Sequence, residues 1–263
     1  MKIFDRILVG IDGSAESLDA LAQAKLLVAS GGRLVAAVVC EEALAAFVGP
    51  TAARAGSELH AEAERARDRA EAELAEFPGA EARLLHGRPA PVLEGLAREL
   101  GATLIALGSH QHRRSAGMLF GSVATSLVRE SESAVLLVRA RADGSGAVRR
   151  IVVGSDGSGH SLDALATAQE LAERLGAHLR CIVSEGGKPV DADRLAAIPT
   201  EMLERDERSP VDALLGAAEQ ADLVVVGSRG LHGMSALGSV SERVAHRAPC
   251  SVLVVRSGGG REG

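Results

Sequence analysis

The sequence contains no tryptophan, no tyrosine and only four phenylalanines, so single-stranded nucleic acid would find no stacking platform on it. Its three cysteines, Cys40, Cys181 and Cys250, are widely spaced and form no CxxC pair, which leaves neither a local zinc motif nor a disulfide framework. No apolar run approaches the roughly 20 residues that a membrane helix needs. The formal charge is −6, the wrong sign for a duplex-binding surface. Met1-Lys-Ile-Phe-Asp-Arg runs directly into a strand, without the pattern of a signal peptide. Together these absences describe a soluble, cytoplasmic chain with no nucleic acid, membrane or metal among its expected partners. What remains is aliphatic: 46% of residues are hydrophobic and 24% charged, a globular composition in which Ala, Leu and Val must build the core. At 263 residues there is room for one large domain or two ordinary ones.

Internal repetition decides between those two. Ile7-Leu-Val-Gly-Ile-Asp-Gly-Ser14 returns as Ile151-Val-Val-Gly-Ser-Asp-Gly-Ser158, and Ser17-Leu-Asp-Ala-Leu-Ala22 returns unchanged as Ser161–Ala166. The copies are offset by 144 positions here but by 119 at a later shared glycine, so the second copy lacks 25 residues. Residues 1–140 form a complete first domain and 141–148 a linker. Residues 149–257 form a shortened second domain, and 258–263 a disordered tail.

Within the first copy, short apolar runs without alternation (Ile7–Gly10, Leu34–Val39, Ala82–Leu85, Leu104–Leu107, Val135–Val138) read as strands covered on both faces. Between them lie helical stripes. The first, from Leu18 onward, is expected to end at Gly31-Gly32. The second is a long seam of Leu59, Ala63, Ala66, Ala70, Leu74 and Phe77. Pro91 suits the first turn of the third, and Val123–Val128 lies on the fourth. Strand and helix in alternation argue a parallel, doubly wound sheet. In the second copy the long helix is cut away, and Pro189–Pro199 holds at most a short one.

Each copy also carries a glycine-opened loop after its fourth strand. The first reads Gly108-Ser109-His110-Gln111, nine residues, then Gly121-Ser122-Val123; the second reads Gly227-Ser228-Arg229-Gly230, seven residues, then Gly238-Ser239-Val240. Glycine lets backbone amides approach an anion closely, and the helix N-terminus that follows favours negative charge. The competing reading is that Gly-Ser simply caps the next helix.

These residues, in both copies, resemble the universal stress protein family, and the chain looks like a tandem member. The resemblance implies two repeated open parallel five-stranded sheets, each of order 3-2-1-4-5 and flanked by helices, in the adenine-nucleotide α-hydrolase-like class. It implies ATP at the carboxyl ends of strands one and four, where strand order reverses, with Mg accompanying the phosphates. In the first copy the matching residues are Asp12 and Val39 for the adenosine, and Gly108, Ser109, Gln111, Gly121, Ser122 and Val123 for the phosphates. The degenerate counterpart comprises Asp156, Val183, Gly227, Gly230, Gly238, Ser239 and Val240. Family members commonly dimerise through the fifth strand, which here implies Val135–Val138 pairing with Val252–Val255 inside one chain; whether whole chains pair further as a homodimer stays open.

Two departures bear on the ligand. Gln111 stands where the family pattern has glycine, and at positive φ it would cost roughly 1 kcal/mol. The second loop is two residues short and its copy has lost a wall, so the first copy is the expected nucleotide site. The loop's His110, His112, Arg113 and Arg114 could balance phosphate charge. The function implied is regulatory and non-catalytic, because no nucleophile–base pair stands out in the loops. A nucleotide-free scaffold is the alternative. An ATP pyrophosphatase would carry S-G-G-x-D-S after strand one, where this chain has Gly10-Ile-Asp-Gly-Ser14.

Overall fold

The computed structural model describes residues 4–41, 50–109, 121–139, 147–186, 195, 198–228 and 239–256, with backbone alone for 50–55 and 239. They fall into two compact units, made chiefly of residues 1–112 and 141–263.

The first copy runs β1 (Arg6–Ile11), α1 (Ala15–Leu27), β2 (Arg33–Cys40), α2 (Pro50–Leu74), β3 (Ala80–His86), α3 (Pro89–Leu100), β4 (Leu104–Gly108), α4 (Ser122–Glu130) and β5 (Ala134–Val138). Its strand order is β3-β2-β1-β4-β5. Ile7 lies level with Leu34 on one side and Leu104 on the other, all in parallel register. The apolar runs are buried as a doubly covered sheet requires: Leu8, Val9, Leu104, Ile105 and Leu136 are fully enclosed.

Helix α1 starts where expected, since Ser14 adopts extended φ/ψ and its hydroxyl accepts the Ser17 N–H. It stops earlier than Gly31-Gly32. Val28 turns extended after donating to Ala24 O, and the Ala29 N–H donates to Phe4 O, the carbonyl just ahead of β1. Tertiary bonding to the sheet thus overrides the glycine stop signal. The seam of α2 is Ala63, Ala66, Ala70 and Leu74, all buried, with Phe77 beyond the helix end.

The second copy runs β6 (Arg150–Gly154), α5 (Gly159–Leu175), β7 (His178–Ser184), β8 (Leu203–Asp206), α6 (Pro210–Ala218), β9 (Leu223–Gly227), α7 (Ser239–Arg247) and β10 (Ser251–Val255). Its internal order, β8-β7-β6-β9-β10, is the same arrangement in the repeat's own terms. Here α5 continues to Leu175 and ends on Gly176 at φ 63°, a left-handed cap. Of Pro189–Pro199 only Leu195, Ile198 and Pro199 are described, and the first two are buried. Residues 141–146 of the linker and the 258–263 tail lie outside the described residues.

Among the described residues no helix is long and apolar enough to cross a membrane. In each copy the order reverses beside the first strand: β1 has β2 on one side and β4 on the other. Connections leaving β1 and β4 therefore part there, and a crevice opens at their carboxyl ends.

Candidate functional site

At that crevice in the first copy lies a cavity of about 190 Å³. Gly10, Ile11 and Asp12 form its floor from β1, Ala37 and Val39 come from β2, and Leu107 and Gly108 from β4. Pro89 and Leu93 of α3 close one side, and Gly121, Ser122, Val123 and Ala124 at the start of α4 close another. The walls are apolar, with a carboxylate at the mouth and a helix start beside it. That combination suits a flat apolar group joined to an anion.

Asp12 is exposed, and its Oδ1 accepts both the Ser14 N–H at 3.0 Å and the Ser14 hydroxyl at 2.5 Å. The Ser17 hydroxyl accepts the Asp12 N–H at 3.4 Å and donates to Ser14 O. Asp12 therefore builds its own turn as well as facing the cavity. Asp156 does the same in the second copy, accepting from Ser158 N–H at 3.0 Å and Ser158 hydroxyl at 2.5 Å. The turn role is common to both copies.

Gly108 answers to packing first. A Cβ there would lie 2.4 Å from the Glu16 carbonyl carbon and 2.5 Å from the Ser17 nitrogen, inside the first turn of α1. Gly227 is held the same way, with His160 O at 2.3 Å from an added Cβ. Close approach of strand end to helix backbone thus requires glycine at both positions, whether or not a ligand is bound. At Gly121 a Cβ would meet no described atom within 4 Å. Its missing side chain leaves open space at the start of α4, where the first-turn amides have no intrahelical acceptor.

Ser109 sits beside the cavity rather than in its wall. It is buried and absent from the cavity wall, and its N–H donates to Val138 O at the end of β5. Ser228 makes the equivalent bond to Val255 O. Both serines tie the loop's start to the sheet. Asp12, Val39, Gly108, Gly121, Ser122 and Val123 do meet in one place. Gln111, Gly230 and Gly238 lie outside the described residues, as do the loop residues His110, His112, Arg113 and Arg114.

The second copy's crevice is built differently. Val183 is 1% exposed, whereas Val39 is only half-buried. Where Ala124 lines the first cavity, the matching Ser241 donates its hydroxyl to Gly227 O at 2.6 Å. Where Ile11 is apolar, Ser155 bonds the Ser161 hydroxyl and accepts the Gly157 N–H. Protein groups thus satisfy one another at the second mouth. Val240 is half-buried there, and Asp156 is exposed beside its turn.

Sequence patterns missed the α3 wall, Pro89 and Leu93, although the apolar stripe of α3 carried the signal. They also missed a meeting of Cys40, His60 and His86 on the other face of β2. The three cysteines are buried and free, and burial pushes the Cys181 thiol up to about 12.

A family model described as "Universal stress protein family" matches residues 3–139 and 188–256. The chain is 31% identical over 206 residues to Universal stress protein Rv1996 of Mycobacterium tuberculosis, covering 66% of this chain and 64% of that protein. It is 33% identical over 137 residues to a universal stress protein of Thermus aquaticus, covering 41% of this chain and 98% of the relative. The chain spans 64% of the length of the mycobacterial relative. Among solved structures, a universal stress protein from Archaeoglobus fulgidus DSM 4304 superposes with a TM-score of 0.75 at 22% identity, over 97% of this chain and 99% of that one. A functionally unknown protein from Pseudomonas aeruginosa PAO1 gives 0.68 at 19% identity, over 97% and 93%. At such identities the two structures bear on the fold alone.

Proposed function

The chain belongs to the universal stress protein family, and on that premise we propose that its first copy binds an adenine nucleotide, ATP or ADP, as a regulatory signal. The observation that carries this reading is the cavity at the β1/β4 switch point, whose walls combine Val39 and Leu93 with Asp12 and Ser122. The base rests against Ala37, Val39 and Leu93, and Asp12 is placed for a ribose hydroxyl. The phosphates reach the α4 N-terminus, where the Ser122 hydroxyl and first-turn amides donate and the helix dipole favours the anion. Mg travels with the phosphates and is held by them. The nucleotide acts by changing conformation or partner choice rather than by being consumed. The second copy serves as a structural companion, its fifth strand Val252–Val255 pairing with Val135–Val138 in the manner the family resemblance implies.

A nucleotide-free scaffold has one observation in its favour. The Asp turn and the packed glycine recur in both copies, so those two features need no ligand to explain them.

The deciding experiment is ATP titration of the nucleotide-stripped full chain by calorimetry. Val39→Phe, which fills the base subsite, should weaken ATP by at least about tenfold, or 1.4 kcal/mol. Ser122→Ala should weaken it less. ATP binding unchanged in both variants places the site elsewhere. No heat and no thermal stabilisation at millimolar ATP establishes the scaffold.

A further inference from the structure

Successive side chains of a strand point to opposite faces of its sheet. In β2, Val39 faces the cavity, so Cys40 faces the other way, toward α2. Parallel pairing sets Cys40 level with His86 at the end of β3, and α2 packs across β2 and β3 on that side. His60 of α2 completes a cluster. One potential ligand atom from each of Cys40, His60 and His86 lies within 4.8 Å of the others. The two imidazoles stack with centroids 5.6 Å apart and planes 12° from parallel. One helical turn beyond His60, Glu64 Oε1 lies 3.6 Å from His60 Nε2.

One sulfur, two imidazole nitrogens and a nearby carboxylate form a donor set for a borderline-soft, tetrahedral ion. Calcium and magnesium prefer oxygen alone. We propose that Cys40, His60 and His86, with Glu64 at the fourth position, form a zinc site that clamps α2 onto the ends of β2 and β3. Bonds of roughly 2.0–2.3 Å draw tetrahedral donors to about 3.5 Å from one another. The donors, already within 4.8 Å of one another, therefore need only a small further approach on loading. Cys40 is buried and held by the strand, while both imidazoles reach solvent, so the rings do the moving. One ring turns about χ2, leaving the stack so that its nitrogen lone pair meets the ion. As the Zn–S bond forms, the thiol proton passes to water. Among the described residues the second copy shows no equivalent cluster. Ser184 and Asp206 hold the matching register positions, Ser184 donates to Arg208 O, and Asp206 pairs with Arg208. Helix α2 has no counterpart among the described residues of that copy.

The test uses the chelator-stripped full chain titrated with Co²⁺ alone. One equivalent should give the strong visible bands of tetrahedral cobalt and a near-ultraviolet thiolate-to-metal band, both bleached by Zn²⁺. Cys40→Ser should abolish the thiolate band, whereas Cys250→Ser should leave it intact. His60→Ala and His86→Ala, at solvent-reaching positions, should each weaken binding by at least about tenfold. They keep the test decisive if the Cys40 variant fails to fold. The proposal is overturned if cobalt stays octahedral, if the thiolate band survives Cys40→Ser, or if both histidine variants bind as tightly as the parent.

Discussion

Two copies of one sequence, placed in one chain, have come to use the same crevice in different ways. In the first, Val39 is half-open, Ala124 has no side-chain donor to offer the Gly108 carbonyl, and a cavity is present. In the second, Val183 is enclosed and Ser241 bonds the Gly227 carbonyl. The elements that match most closely in sequence, the Asp-Gly-Ser turns and the packed glycines, are the ones whose roles are shared. Identity of motif therefore marks what the fold needs. The residues around the motif decide whether a pocket stays open.

The sharpest challenge to that distinction is at the packed glycines. Gly108→Ala and Gly227→Ala each drive a Cβ into helix backbone, and each should cost about 3 kcal/mol or more in urea unfolding. If either were tolerated, the shared-packing account of that glycine would fail.

A second pair sharpens the difference at the start of the fourth strands. Asp222 is buried and accepts N–H bonds from Arg149 and Arg150 at 2.8 and 2.9 Å. Thr103 occupies the same place in the first copy and bridges Arg6 N–H and Arg6 O through its hydroxyl. Asp222→Ala should cost about 2–3 kcal/mol and Thr103→Ala about 1 kcal/mol, measured by thermal unfolding. The Arg150 guanidinium, 54% exposed, adds little to the first figure. Equal losses would mean that the carboxylate does no more than the hydroxyl.

The turn aspartates separate stability from binding. Asp12→Ala and Asp156→Ala should each lose about 1 kcal/mol of stability with the turn bonds. Only Asp12→Ala should also weaken ATP in calorimetry. Equal weakening by both variants would make the copies functionally equivalent.

The smallest effect belongs to Asp206, whose hydrogen bonds from Arg208 hold its carboxyl at about 2, below the ordinary 3.8. A depressed carboxyl stabilises the folded state above its unfolded value and loses that contribution as pH falls through the folded one. The parent's advantage over Asp206→Asn should therefore be constant above about pH 4 and shrink away between about pH 4 and pH 2, with acid unfolding curves as the readout. The second copy would carry this acid response, because the first has His86 at that register position.

The repeat, the strand–helix alternation and the family were legible because each rests on local pattern: apolar runs, turn residues and recurring strings. The end of α1 was not, since the hydrogen bond from Ala29 to Phe4 O joins residues on either side of a strand and helix. The bond from the Ser109 N–H to Val138 O was equally hidden, since it joins the loop's start to a strand much further along the chain. The wall from Pro89 and Leu93 was hidden because an apolar helix stripe does not say what it faces. Spacing along the chain likewise concealed Cys40, His60 and His86, which come from a strand end, a helix and a second strand end.

By itself the sequence determined that the chain is a duplicated, doubly wound α/β protein of this family, with its glycine loops after the fourth strands. Hydrophobic period and turn chemistry act over a few residues, so they can be read without knowing where the chain goes. Tertiary structure alone decided which glycine serves packing, which valine stays open, and which thiol meets two imidazoles. Those outcomes depend on strand order and on the face each side chain takes, and residues far apart in the chain become neighbours only after the sheet has formed.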